Sequence, residues 1–402
     1  MANLNGIRWI AMAAAAVFAG FCGAETKESG THYAEEAVMP YIQNGQCPGA
    51  ISIFYNNGIQ ETACMGWADV DKKVPMSLDK MFMQCSQTKG FCGVTIAILV
   101  EEGKLSLEDP VHKYLPEFKT LWIQTSDKDG VRTLVKAKNV LTVKDVMNHT
   151  GGFPFEIPSK SVLGWPAVPL RVTAAEAAAC PISFEPGTAE RYSNTGIDIG
   201  AAIVEVITGK KWDVFLKERV LDPLGMTDST FNPTDEQLAR SILMYDLQKD
   251  QPAKFTTHDH WMPLPHNGPD IYPSAGAGLW TTAADQLKFY KMLMNLGVGD
   301  NGVRILKEET VKNLLAKNLR PANMGCYSLG LAADNGNGWF GHGGAWGTNC
   351  SVNWKTKQLK LWVVQYRGGP RPWEGAKEKA AEKFFASSAA TATTDAYTGR
   401  LN

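Results

Sequence analysis

The sequence carries almost no excess charge: Lys and Arg total 40 against 41 Asp and Glu, a net of −1 over 402 residues. A balanced chain offers no electrostatic footprint for nucleic acid or for an anionic membrane surface. It also lacks an apolar run of membrane-spanning length. The longest candidate, Trp9 to Phe21, is shorter than the ~20 residues a spanning helix needs. No internal repeat is visible, which excludes solenoid and propeller arrays. Cysteine is limited to eight positions, and none is spaced as a metal motif. Disorder is excluded in turn by the 44% hydrophobic fraction.

What is present begins with an export signal. Arg8 is the sole charge in residues 1–24, the apolar run follows it, and Cys22-Gly23-Ala24 resembles a small-residue cleavage site. Cleavage after Ala24 is expected, with a periplasmic or secreted product and no membrane span left. Seven cysteines would survive, so at least one stays free in a monomer. Export permits disulfides, but connectivity is not deducible from spacing. Cys85 and Cys92 are read as buried small apolar residues.

Strand signals cluster at the two ends of the mature chain. Residues 50–66 read as a hairpin, with Ile51, Ile53 and Tyr55 alternating and Asn57-Gly58 as the turn. Residues 338–342, 349–354 and 359–366 are short strand candidates, and a final helix is expected over 373–386. Between these lie helical patterns: 86–102 closed by Gly103, 143–148 opened by Thr142, 197–208 stopped at Gly209, and 283–296 capped by Thr282. The 86–102 pattern is apolar on nearly every side, as a buried helix is. The expected organisation is α+β. A sheet-containing part of residues 25–80 and 275–387 surrounds a mostly helical part of 81–274, and a mobile tail covers 388–402.

The chemistry-bearing residues start with Ser86-Gln87-Thr88-Lys89. On a helix, residues i and i+3 share a face, so the Lys89 amine can reach the Ser86 hydroxyl. Serine needs such a base, because its own hydroxyl leaves almost no alkoxide at neutral pH. The blander reading makes Ser86 an ordinary N-cap. A second copy, Ser77-Leu78-Asp79-Lys80, follows Pro75 and reads as a solvated helix start. Tyr192-Ser193-Asn194 lies in a loop before a helix, and His342-Gly343-Gly344 on a late strand. Tyr55-Asn56-Asn57 also fits Y-x-N but is plainly a turn.

In order and spacing, these three elements resemble the serine β-lactamase and penicillin-binding-protein superfamily, with its S-x-x-K, S-D-N and K-T-G motifs. The Y-x-N form is similar to the class C β-lactamase branch and its esterase-like members. Supporting stretches run from Pro48 to Gln365. They include Gly66-Trp67-Ala68-Asp69, Asn148-His149-Thr150-Gly151-Gly152, Glu185-Pro186-Gly187-Thr188 and Ala275-Gly276-Ala277-Gly278-Leu279.

The resemblance implies a central antiparallel sheet flanked by helices, with an inserted helical domain and the site in the cleft between. It implies that Ser86 is acylated, that Lys89 and Tyr192 share general-base and proton-shuttle work, and that Asn194 bonds Lys89 and substrate. It also implies an oxyanion hole from the backbone N–H groups of Ser86 and Ala345. Gly343 and Gly344 would leave room for substrate. Apart from the resemblance, Trp339, Trp346 and Trp362 read most simply as core or cleft wall, with substrate contact the alternative for Trp346 because it follows Ala345. No cofactor is implied.

One departure bears on substrate. The third motif has His342 where β-lactamases usually carry lysine to hold a substrate carboxylate. Histidine is mostly neutral at pH 7 and would be protonated more often near pH 5.5. That favours a small-molecule ester over an amide or β-lactam. The alternatives are a β-lactamase, a D-amino-acid-specific peptidase, or a non-hydrolytic acyl-ligand binder. His258, His260, His266 and Asp270 fit no common zinc spacing and read as an irregular, proline-rich loop. His149 is expected to pack or cap beside the Gly-Gly turn.

Overall fold

The computed structural model describes residues 26–158, 169–247, 256–257 and 272–398. The expected export signal with Cys22, and the stretch holding His258, His260, His266 and Asp270, lie outside the described residues.

The two ends of the chain build one sheet. Its strand order is Lys27–Glu28, Ile59–Asp69, Gly49–Asn56, Gln358–Val363, Asn349–Asn353 and Trp339–Gly343, with Val74–Pro75 added on Ile59–Asp69. All these pairings are antiparallel except that of Lys27–Glu28. The junction of the two halves sets Ile51 against Val363 and Ile53 against Leu361. The first hairpin turns at Asn57-Gly58, where both residues have positive φ, 44° and 98°. Asparagine and glycine accept that backbone at little cost, which is why this pair starts the sheet.

Helices cover both faces. On one, Tyr33–Gln43 packs against the long C-terminal helix Trp373–Thr398. On the other, Ala283–Met294 lies on the late strands, opened by the Thr282 hydroxyl, which accepts from Asp285 N. Behind it runs the mostly apolar helix Thr88–Glu101, buried from Thr88 through Leu99. Phe91 stacks on Phe289 with centroids 3.6 Å apart. Asn194–Thr208 packs on that helix and ends in Gly209 at φ 68°. No helix among the described residues is long and apolar enough to cross a membrane.

Several elements differ from expectation. The middle segment contains an antiparallel hairpin, Trp122–Lys128 with Val131–Lys136, turning at Asp129-Gly130 with φ 52° and 77°. Tyr33–Gln43 has no cap of its own at His32; Glu61, on a neighbouring strand, accepts from Ala34 N at 2.7 Å. The C-terminal helix continues to Thr398, through the segment expected to be a tail. The seven described cysteines are all free thiols, with Cys85 and Cys92 buried.

The placement of the Thr88–Glu101 helix rests on a close crossing. A Cβ on Gly93 would lie 1.8 Å from the Leu329 carbonyl oxygen, and one on Gly330 would lie 2.1 Å from the Lys89 carbonyl oxygen. Helix and 328–331 segment therefore touch backbone to backbone. Gly93→Ala is expected to lose more by this clash, ~1–3 kcal/mol as for other overpacked cores, than the ~1 kcal/mol alanine gains in a helix. Gly375→Ala, where nothing lies within 4 Å, should gain stability instead. Thermal unfolding of the two variants checks the opposite signs.

Candidate active site

Ser86 does not cap the helix. It sits in a one-turn 3₁₀ segment, Cys85–Gln87, that leads into Thr88–Glu101, and Cys85 before it has φ 51°. A non-glycine residue in that region is held there by its surroundings. Those surroundings are specific. Gln84 N–H donates to Leu279 O at 3.1 Å, and Gln84 O accepts from the Thr348 hydroxyl at 3.2 Å. Thr88 Oγ1 donates to Cys85 O at 2.7 Å and accepts from Leu279 N at 3.2 Å. The buried Gln286 amide donates to both Gln84 Oε1 and Gln87 Oε1. The turn carrying Ser86 is thus fixed on both sides by side chains far away in sequence.

Lys89 follows one turn later and is completely buried. Its Nζ lies 3.1 Å from Ser86 Oγ, 2.5 Å from Asn194 Oδ1 and 2.7 Å from Gly276 O. Two carbonyl oxygens therefore hold N–H bonds of this amine whatever its charge. The position facing Ser86 carries a proton in the ammonium and a lone pair in the amine. That is the geometry of a proton exchanged between lysine and serine.

Tyr192 closes the other side. Lys89 Nζ sits 4.5 Å from its ring centroid, and its hydroxyl bonds Ser86. The residue as a whole is 38% exposed, yet its hydroxyl meets Ser86, and burial raises its pKa above the ordinary phenol value. Beneath it, Asn194 opens its helix with the Ser193 hydroxyl as cap, accepting from Gly196 N. Asn194 Nδ2 donates to Glu156 Oε1 at 2.5 Å, which turns its oxygen toward Lys89. Ser193 Oγ donates to Pro154 O and Asn194 N to Phe155 O, fastening the Gly-Gly loop to the Y-x-N segment.

His342 lies on the strand Trp339–Gly343 and reaches the same cleft. Its Nδ1 is 2.6 Å from Gly343 O, an acceptor, so Nδ1 carries the proton and Nε2 does not. Nε2 accepts from the Tyr327 hydroxyl at 2.9 Å and lies 3.5 Å from the Tyr192 hydroxyl. Burial, with the Lys89 charge nearby, depresses its pKa to about 3. The expectation that His342 would begin to protonate near pH 5.5 is corrected: desolvation keeps it neutral.

The glycines after it differ in role. A Cβ on Gly344 would lie 2.4 Å from Gln84 O and 2.1 Å from the Thr348 hydroxyl, so glycine there lets the strand end touch the turn that carries Ser86. Gly343 is less confined, its nearest contact being Asn349 Nδ2 at 3.2 Å. Ala345 is exposed, and its backbone N–H and that of Trp346 face the Cys85 sulfur. Burial pushes that thiol up to about 12, which leaves it unreactive. Trp346 is 4% exposed and packs with Met81, Met83 and Trp280. It packs as core beside Cys85, the first of its two readings.

Sequence reasoning missed Glu156, Gly276, Asp198 and Tyr327. Asp198 is one helical turn past Asn194 and accepts from Tyr272, Ser274 and Gly276 N. His149 packs between Tyr192 and Tyr327, at centroid distances of 4.4 and 4.6 Å, and its Nδ1 accepts from Ser193 N. Burial and the Lys89 charge hold it well below the ordinary histidine value. Among the described residues, no three His, Cys, Asp or Glu side chains group as metal ligands.

Comparisons with known proteins bear on the family and the fold. The β-lactamase family model matches residues 34–380. Protein Rv1367c of Mycobacterium tuberculosis is 30% identical over 325 residues, covering 79% of this chain and 78% of its own. Two solved structures share the fold. EstCE1, a hydrolase with promiscuous acyltransferase activity, has TM-score 0.69 and 21% identity, with 87% of this chain and 97% of that chain covered. A family VIII carboxylesterase has TM-score 0.66 and 20% identity, with 87% and 96% covered. With the family model extending over most of its length and a relative at that identity across more than two thirds of it, the chain belongs to the β-lactamase family.

Proposed function

We propose that the protein is an exported serine hydrolase that cleaves small neutral esters through an acyl-enzyme on Ser86. The observation that carries this is the Lys89 amine at 3.1 Å from Ser86 Oγ, anchored on its other sides by Asn194 and Gly276. In the amine state, Lys89 takes the Ser86 proton as Oγ bonds to the ester carbonyl carbon. The oxyanion is received by the backbone N–H of Ser86, and by that of Ala345 once it turns from the Cys85 sulfur. The C–O bond to the leaving group then breaks, and that oxygen takes a proton from the Tyr192 phenol, which Lys89 replenishes. Water repeats the sequence on the acyl-enzyme. A phenol whose pKa is raised keeps its proton, so Tyr192 suits the donor role and Lys89 the base.

Ester preference rests on His342. Its Nδ1–H is turned to Gly343 O and its Nε2 to Tyr327, so it offers no positive charge to a substrate carboxylate. The fold shared with a carboxylesterase supports the same reading.

Ser86→Ala should lower kcat by at least ~10³-fold on a short-chain aryl ester and abolish labelling by a fluorophosphonate. Ser77→Ala should leave the rate within about twofold, because Ser77 Oγ bonds Asp79 on the surface. Labelling without ester turnover would instead favour a binder of acyl ligands.

His342→Lys adds a charge where none stands. A charge-assisted hydrogen bond is worth ~1.5–3 kcal/mol, so the ratio of cephalosporin to neutral-ester kcat/KM should rise at least ~10-fold. Because the native imidazole stays neutral far below pH 6.5, the gain should persist at pH 5.5. A flat ratio in a folded, fluorophosphonate-reactive variant refutes charge selection at this position.

A further inference from the structure

Both carbonyl groups that hold the Lys89 amine belong to residues whose N–H groups are held by a carboxylate. Asn194 accepts from Lys89 through Oδ1 and donates through Nδ2 to Glu156 at 2.5 Å. Gly276 accepts from Lys89 through its carbonyl and donates its N–H to Asp198 Oδ1 at 3.1 Å. Asp198 is 4% exposed and is further fixed by the Tyr272 hydroxyl at 2.7 Å and the Ser274 hydroxyl at 3.3 Å. A Cβ on Gly276 would strike Asn194 Oδ1 at 2.8 Å, so the two acceptors also pack on each other.

We infer that Glu156 and Asp198 are positioning residues that set the charge state of Lys89, each acting through the group that accepts the lysine's hydrogen bond. This rests on the serine-hydrolase reading above, and it goes further by assigning the pH at which Ser86 becomes reactive to these two acids. Their effect has a definite sign. Negative charge near an ammonium stabilises it, so both acids hold Lys89 protonated to higher pH. Among the described residues, four titratable side chains set around the amine add no charge that opposes this. His149, from the Gly-Gly loop, and His342, from the strand, are both neutral. Cys85 on the nucleophile turn and Tyr192 on the Y-x-N segment both have pKa values raised by burial and keep their protons. Arg320, beyond His149, is paired with Glu190. Among the described residues, Glu156 and Asp198 are the carboxylates that close the hydrogen-bond chains from Lys89.

The consequence is an enzyme whose activity rises with pH as Lys89 loses a proton, with the midpoint of that acid limb raised by the two acids. Removing one negative charge lowers the Lys89 pKa and moves the limb to lower pH. Glu156→Gln keeps an oxygen for Asn194 Nδ2 and removes the charge. Glu156→Ala removes both.

The test measures kcat/KM for p-nitrophenyl butyrate and the fluorophosphonate inactivation rate from pH 5 to 9.5. It uses the wild type, Glu156→Gln, Glu156→Ala and Asp198→Asn, with folding followed by circular dichroism. The acid limb of Glu156→Gln should move down by at least ~0.5 pH unit, about threefold in relative rate at a fixed pH on the limb. Its high-pH plateau should fall less than that of Glu156→Ala, whose Asn194 amide is released. A purely structural role would lower the plateau and leave the limb in place. Titration of the Lys89 amine by ¹⁵N NMR reads the same shift without turnover. Superimposed limbs and an unmoved Lys89 titration in folded Glu156→Gln overturn the inference, even if Asp198→Asn does not fold. If the fluorophosphonate label maps to a residue other than Ser86, it is the hydrolase reading that fails, and the NMR titration still decides this one.

Discussion

A lysine amine shut away from solvent must be met by acceptors, or its burial costs more than a marginally stable fold can absorb. Lys89 is such a group, and much of the site follows from satisfying it. Its acceptors come from the turn before its own helix, from the start of the Asn194–Thr208 helix and from the loop before Trp280. These segments are distant in sequence from one another and converge on this nitrogen. Each is then held by a further layer: Ser193 by Pro154, Asn194 by Glu156, and Gly276 by Asp198. The positions of Ser86 and Tyr192 are set by this chain of obligations as much as by their own backbone.

The sheet supplies the opposite wall. Its edge strand brings His342 toward Tyr192 and ends at Gly344, which has no side chain to keep it from Gln84. Thr348, just beyond, bonds the same carbonyl. One short stretch therefore both borders the cleft and braces the nucleophile turn, which is why a buried Trp346 belongs to it. The packing that makes the turn rigid lies outside the cleft.

Much of this was legible in the residues, and what was not has identifiable reasons. Local signals were read correctly: Asn57-Gly58 as a turn, Thr282 as a cap, and the apolar 86–102 run as a buried helix. Asp129-Gly130 is a signal of the same kind and was passed over because Val131–Lys136 carries no apolar alternation; all six residues are exposed. The helix Tyr33–Gln43 was unreadable because its cap is Glu61, supplied by a strand. Ser86, Lys89, Tyr192 and Asn194 were found through motif order. Glu156 and Asp198 were not, since a carboxylate that acts through an amide leaves no spacing rule behind. For Trp346 the sequence leaves core and substrate contact both open, because adjacency to Ala345 says nothing about which way a side chain turns. The neutrality of His342 was expected, but its depth came from burial, which sequence does not display.

The pairing of Gly49–Asn56 with Gln358–Val363 has a further meaning for how the molecule comes into being. Nearly the whole chain must be made before the centre of the sheet can close. Such non-local contacts are slow to form, because the entropy of a long loop is lost before any pairing repays it. The Lys89 site is tied to the same event, since Gly330 presses on the Lys89 carbonyl and Gly344 on Gln84. A growing or truncated chain that carries the serine and the lysine still lacks the segments that hold them in place. The contacts that fix Ser86 and Lys89 are thus completed only when synthesis is essentially finished, so the site and the centre of the sheet are assembled together.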